Sequence, residues 1–157
     1  MKRSEALKPL SREHHHALFV TKEVRDADES GADQARAALI GFWRDEGSLH
    51  FRIEEEVLLP GSGLPGPDED AEVSRMLSDH LAIRRRMARV EAGEGDLAEL
   101  KDLAGFMRDH VRFEERELFP RIERELDAEE LLPLAAAIEA AERDAFGGPA
   151  KRPPRLG

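Results

Sequence analysis

Apolar residues recur along this 157-residue chain at intervals of three and four, the spacing of helices that bury one face. Leu7, Leu10, Ala17, Leu18, Thr21 and Val24 predict a first helix over roughly residues 10–28. Glu29-Ser30-Gly31 reads as a turn, and Leu39, Phe42, Trp43, Glu46, Leu49, His50, Ile53 and Val57 mark a second helix over about 32–59. The run Pro60-Gly61-Ser62-Gly63-Leu64-Pro65-Gly66-Pro67 is expected to break it, and Asp68 or Asp70 to cap a third helix over 71–91. That helix turns Leu77, His80, Ile83, Met87 and Val90 to one side. Gly93 and Gly95 end it, and Asp96 caps a fourth with Leu97, Leu100, Leu103, Phe106, Met107, His110, Phe113 and Leu118 inward. Pro120 is expected to end or kink this helix, and the capping-box pattern Asp127-Ala128-Glu129-Glu130 opens another that runs to about Phe146. Residues 147–157 carry too little apolar content to fold alone and read as a flexible tail behind a single domain at 1–146. Short turns join antiparallel neighbours, so the pattern predicts an all-α fold: an up-and-down four-helix bundle with an additional C-terminal helix packed across it.

Composition agrees with this picture and narrows the chemistry. Tyr is absent and aromatic residues make up 5% of the chain, which favours helices over sheets. Thirty-four acidic against twenty-four basic residues give a formal charge of −10, which repels phosphate backbones and anionic lipid surfaces; neither nucleic acid nor membrane is an expected partner. Without cysteine there is no thiolate nucleophile and no sulfur-ligated cluster, so any metal must be held by histidine and carboxylate. Met1-Lys2-Arg3-Ser4-Glu5 is followed by no apolar targeting segment, and nowhere do eighteen apolar residues run together, so a cytoplasmic location is expected.

The chemistry concentrates in a repeat. His50-Phe51-Arg52-Ile53-Glu54-Glu55-Glu56-Val57-Leu58-Leu59-Pro60 recurs sixty residues later as His110-Val111-Arg112-Phe113-Glu114-Glu115-Arg116-Glu117-Leu118-Phe119-Pro120, identical at six of eleven positions. Residues four apart on a helix lie about 40° apart around it, so each His-x3-Glu pair can aim both side chains at one atom. His14 falls near the centre of the apolar stripe of the first helix, and His80 lies in that of the third. Four inward histidines and two glutamates, His14, His50, Glu54, His80, His110 and Glu114, are enough for two metal ions sharing the two carboxylates. A mixed nitrogen and oxygen set without sulfur suits iron or manganese best, with zinc a weaker match. Burying two carboxylates without partners costs several kcal/mol each, which bound cations would offset; pairing with Arg52, Arg84, Arg112 or Arg116 is the alternative. His15 and His16 read as surface or outer residues, and Glu55, Glu56, Glu115 and Glu117 as a solvated helix face. Glu46, one turn before His50, is a candidate to orient that histidine, and Phe42, Trp43, Phe51, Phe106 and Phe113 read as core.

The order His, His-x3-Glu-Glu, His, His-x3-Glu-Glu, spread over about a hundred residues of helical pattern, resembles the hemerythrin-like (HHE cation-binding) family, over roughly residues 5–125. The resemblance implies a four-helix bundle holding a non-heme di-iron centre, with His14, His50, Glu54, His80, His110 and Glu114 as iron ligands and O2, peroxide or nitric oxide as the small-molecule partner. Oxygen-carrying members have a histidine one turn after the third-helix histidine, where this chain has Arg84. They place their last carboxylate five residues after the fourth histidine, whereas both Glu114 and Glu115 follow His110 here and Glu114 matches the first repeat. Fewer imidazoles favour sensing, storage or detoxification over reversible O2 carriage. Two other readings stand beside that one: an enzyme acting on peroxide or nitric oxide, and a regulatory module whose fold depends on iron.

Overall fold

Five helices form where the stripes predict them, in a computed structural model that describes residues 2–147; the expected tail lies outside the described residues except for Gly147. Helix α1 is Lys8–Asp26, α2 covers residues 32–62, α3 is Ala71–Glu91, α4 covers 97–125 and α5 is Ala128–Phe146, and the described residues contain no strand. The caps are those the polar residues offer. Of the two candidate aspartates before α3 it is Asp70 that accepts from the Glu72 and Val73 amides, both at 3.1 Å. Asp96 accepts from Glu99 at 2.9 Å, Asp127 and Glu130 exchange both bonds of a capping box, and Gly147 closes α5 with φ 65°.

Helix α1 packs on α2 and α4, and α3 on the same two, which closes the four into a bundle; α5 lies across α1 and the second half of α2. Two apolar clusters fill the interior. One holds Val20, Leu39, Met87 and Leu103; the other holds Leu10, Met76, Phe119 and Ile122 together with Leu134 and Ile138 of α5. On each of the four helices the inward histidine lies at or within one residue of the point where the helix passes from one cluster to the other, so the polar layer is sealed on both sides.

The structure corrects the helix ends at both prolines. Helix α2 continues through Pro60 to Ser62, and α4 continues through Pro120 to Glu125. Proline lacks the N–H and its ring collides with the carbonyl four residues back, but both helices widen just beforehand into π-turns, Glu54–Leu58 and Glu114–Leu118. The amides of Leu59 and Phe119 reach back five residues to the carbonyls of Glu54 and Glu114. A further π-turn, Trp43–Gly47, sits one turn before His50. Inside α3 the stripe holds at His80, Ile83, Met87 and Val90 and differs only at its start, where Met76 is fully buried and Leu77 only partly so.

Candidate metal centre

The bundle brings all six sequence-predicted ligands into one layer, each at most 5% exposed. His14 and His50 meet Glu54 and Glu114 on one side; His80 and His110 meet the same two carboxylates on the other, and either group of four could hold a metal ion. His14 Nε2 lies 2.9 Å from Glu114 and 3.5 Å from Glu54, and His50 Nε2 lies 2.8 Å from Glu54 and 3.0 Å from His14 Nε2. Across the layer, His80 Nε2 is 3.1 Å from Glu54 and 3.4 Å from Glu114, while His110 Nε2 is 2.7 Å from Glu114.

Apart from the contact between His14 and His50, these short distances are not hydrogen bonds. All four oxygens of Glu54 and Glu114, and Nε2 of His80 and His110, are buried without a correctly angled partner. They aim at points between them rather than at one another. Donors about 2.1 Å from an ion stand roughly 3.0 Å apart in an octahedron and 3.4 Å in a tetrahedron. Separations of 2.7 to 3.5 Å therefore match the edges of a coordination shell. The donor set fits two divalent cations.

Outer carboxylates hold the imidazoles from behind. His14 Nδ1 donates to Glu115 at 2.7 Å, His80 Nδ1 to Glu55 at 2.6 Å and His110 Nδ1 to Asp79 at 3.0 Å, while His50 Nδ1 faces Glu13 at 3.5 Å. Each such partner fixes the ring and leaves Nε2 directed inward. This overturns the reading of Glu55 and Glu115 as solvated; Glu56 and Glu117 are exposed as expected. The arrangement is two-fold: the residue before His14 serves His50, the residue before His80 serves His110, and the residues after Glu54 and Glu114 serve His80 and His14. A buried contributor that the sequence did not reveal is Glu142 of α5, whose carboxyl group acts on Glu13.

Charge is concentrated here. Burial alone would drive protons off the imidazoles, but the negative charge of Glu54 and Glu13 holds His50 at about 10, and the carboxylates of Glu114, Glu115 and Glu54 hold His14 well above its ordinary value. His80 and His110 are raised for the same reason. Burial and the neighbouring Glu114 would raise Glu54, yet His50 and His14 bring it down to about 2. Glu114 is held well below the carboxylate range by His110, His14 and His80. Cations entering this layer would take the place of imidazole protons.

Arg52 pairs with Glu56 and Arg84 with Glu55, so these two do not serve as the alternative counter-ions of the central carboxylates. Glu46 bonds His16 at 2.5 Å rather than His50, and His15 is exposed. A cavity of about 20 Å³, enough for one water-sized molecule, opens beside His50 and His110 under Phe42, Trp43 and Phe51, with Glu46 on its wall.

The model of the hemerythrin HHE cation binding domain matches residues 6–122. The chain belongs to that family. The match spans α1 to α4 with all six central residues and stops short of α5, so this hemerythrin-like domain carries a further helix that reaches the layer through Glu142. No curated protein and no solved structure matches the chain. Among the described residues no helix is long and apolar enough to cross a membrane.

Proposed function

We propose that this protein is a cytoplasmic non-heme di-iron protein that binds O2 or a related small molecule for sensing, storage or detoxification. His14 and His50 would hold one iron and His80 and His110 the other, with Glu54 and Glu114 available to both. The observation that carries this reading is the convergence of buried carboxylates and imidazoles from four helices, in which both oxygens of Glu54 and Glu114 and Nε2 of His80 and His110 have no hydrogen-bond partner. Iron in such a site would supply electrons and a place for a small molecule to bind. The protein's part is to fix the imidazoles through Glu115, Glu55, Asp79 and Glu13, and to keep bulk water out with two apolar clusters. The cavity beside His50 and His110 is of a size for a diatomic molecule and too small for an organic substrate. Iron-loaded protein should be nearly colourless without air and develop a visible charge-transfer band on exposure to O2, nitric oxide or peroxide. No spectral change with any of the three would remove the small-molecule reading.

A second reading, enzymatic reduction of peroxide or nitric oxide, draws on Glu46. This carboxylate lines the cavity and bonds His16, whose side chain is 15% exposed, which provides a proton path that simple binding does not need. Sustained product with an added reductant supports turnover; a single stoichiometric spectral change supports binding.

A further inference from the structure

Behind His14 and His80 stands the same four-part arrangement, built from positions the sequence repeat does not relate. At His80, Arg84 of α3 grips both oxygens of Glu55, at 2.8 and 3.1 Å, while Glu55 accepts from His80 Nδ1. The guanidinium also lies 5.6 Å from the ring centre of Phe51, and that ring stacks on the His80 imidazole at 3.7 Å with an interplanar angle of 5°. At His14, Arg3 contacts Glu115 at 2.8 Å, and Glu115 accepts from His14 Nδ1. Arg3 in turn lies 5.4 Å from the ring centre of Phe119, which stacks on His14 at 5.2 Å and 18°.

Only the two glutamates are equivalent in the repeat. Phe51 follows His50 directly, where the second repeat has Val111, and Phe119 comes nine residues after His110. Arg84 comes from mid-helix, and Arg3 comes from the segment before α1, outside the stretch that matches the family. Two unrelated routes have reached one arrangement, which packing alone does not require. The other two outer carboxylates lack the direct arginine contact: Arg75 lies over the Phe113 ring at 4.0 Å but stands 3.8 Å from Asp79, and Glu13 faces Glu142.

We propose that Arg3 and Arg84 are paired positioning residues, each setting the metal affinity of one half of the centre by locking the carboxylate and the phenyl ring that orient His14 and His80. One guanidinium nitrogen, Nη1 of Arg84 and Nη2 of Arg3, donates to the carboxylate and occupies lone pairs it would otherwise turn to water, while the planar group caps the outer face of the stacked ring. With the carboxylate fixed, the imidazole cannot swing, and Nε2 stays aimed at its ion. Arg84, at the position where oxygen carriers hold a further imidazole, thus acts on the centre through His80. This inference rests on the two-ion reading given under Proposed function.

The test is a stepwise Co(II) titration of the full chain, followed by calorimetry and visible absorption, for wild type, Arg84→Gln, Arg3→Gln and the double variant. Arg121→Gln serves as control, because Arg121 ties Asp70, Glu72 and Glu125 together away from the centre. Wild type should take two ions. Each single variant should lose about tenfold in affinity at one step with a changed Co(II) band for that ion, and the double variant should lose at both. Arg121→Gln should melt earlier with both affinities intact. Should Arg84→Gln unfold at the working temperature, Arg84→Lys keeps the charge without the planar group over Phe51 and is read by the same criterion. Wild type taking two ions with both single variants within twofold of it, or with both steps weakened equally, overturns the positioning roles and leaves the two-ion reading standing. A wild type that takes no metal overturns that reading and the inference with it.

Discussion

Each imidazole of the central layer turns one nitrogen inward and one outward, and only the inward placement was readable from the sequence. It was legible because a buried position recurs with the helical period, and His14, His50, His80 and His110 all fall on their own apolar stripes. The outward contacts were not, because Glu115, Glu55, Asp79 and Glu13 act across helix boundaries, where the period of one helix carries no information. Two signals were present: the doubled glutamate in both repeats and the acidic residue before His14 and before His80. The protonation of this layer yields a prediction. His50, held at about 10 against roughly 6.5 when unfolded, contributes stability that is complete below the unfolded value and is lost as pH rises through the folded one. Glu54, held at about 2 against roughly 4.3 unfolded, contributes stability that is complete above the unfolded value and is lost as pH falls through the folded one. Metal-free protein should therefore be most stable between about pH 4.3 and 6.5, and its melting midpoint should fall from about pH 6 to pH 9. Metal affinity should rise over the same interval, since cations displace imidazole protons. Thermal melts in chelator across that range check this, and a midpoint that climbs toward pH 9 would contradict it.

At the scale of elements, the five helices and most caps were readable from stripe and cap residues, and the ends at Pro60 and Pro120 were not. A proline inside an apolar pattern ordinarily ends a helix. Here packing decides otherwise: Phe113 and Glu114 are buried, and so are Leu118 and Phe119, five residues further on. That five-residue step is a π-turn written in the burial pattern, and proline six residues after each glutamate accompanies it. Fully burying side chains such as Phe119 and Ile122 is worth about 1.5–3 kcal/mol each, more than the roughly 1 kcal/mol of one backbone hydrogen bond. Pro120→Ala should accordingly keep the π-turn and change unfolding free energy by less than about 1.5 kcal/mol. Urea unfolding together with amide exchange at Phe119 measures both quantities. A loss above about 3 kcal/mol would mean that the proline itself holds the turn.

For the whole molecule, the bundle, its two apolar clusters and the buried carboxylates form one argument. An apolar interior interrupted by a layer of four imidazoles and two carboxylates is an expensive way to fold unless that layer binds something. Metal binding should repay the native state. Free ion at a thousandfold its Kd adds about 4 kcal/mol per site, which corresponds to roughly 8–16 °C in Tm for a chain of this size. A chelator should reverse the shift, and an unchanged midpoint would separate the layer from folding. The most direct measurement is metal content: load the purified full chain anaerobically with Fe(II), remove unbound ion, and count iron per chain for wild type and for Glu54→Ala/Glu114→Ala. The account predicts two irons per wild-type chain and none in the double variant. Less than one iron in the wild type, or undiminished iron in the variant, would contradict it.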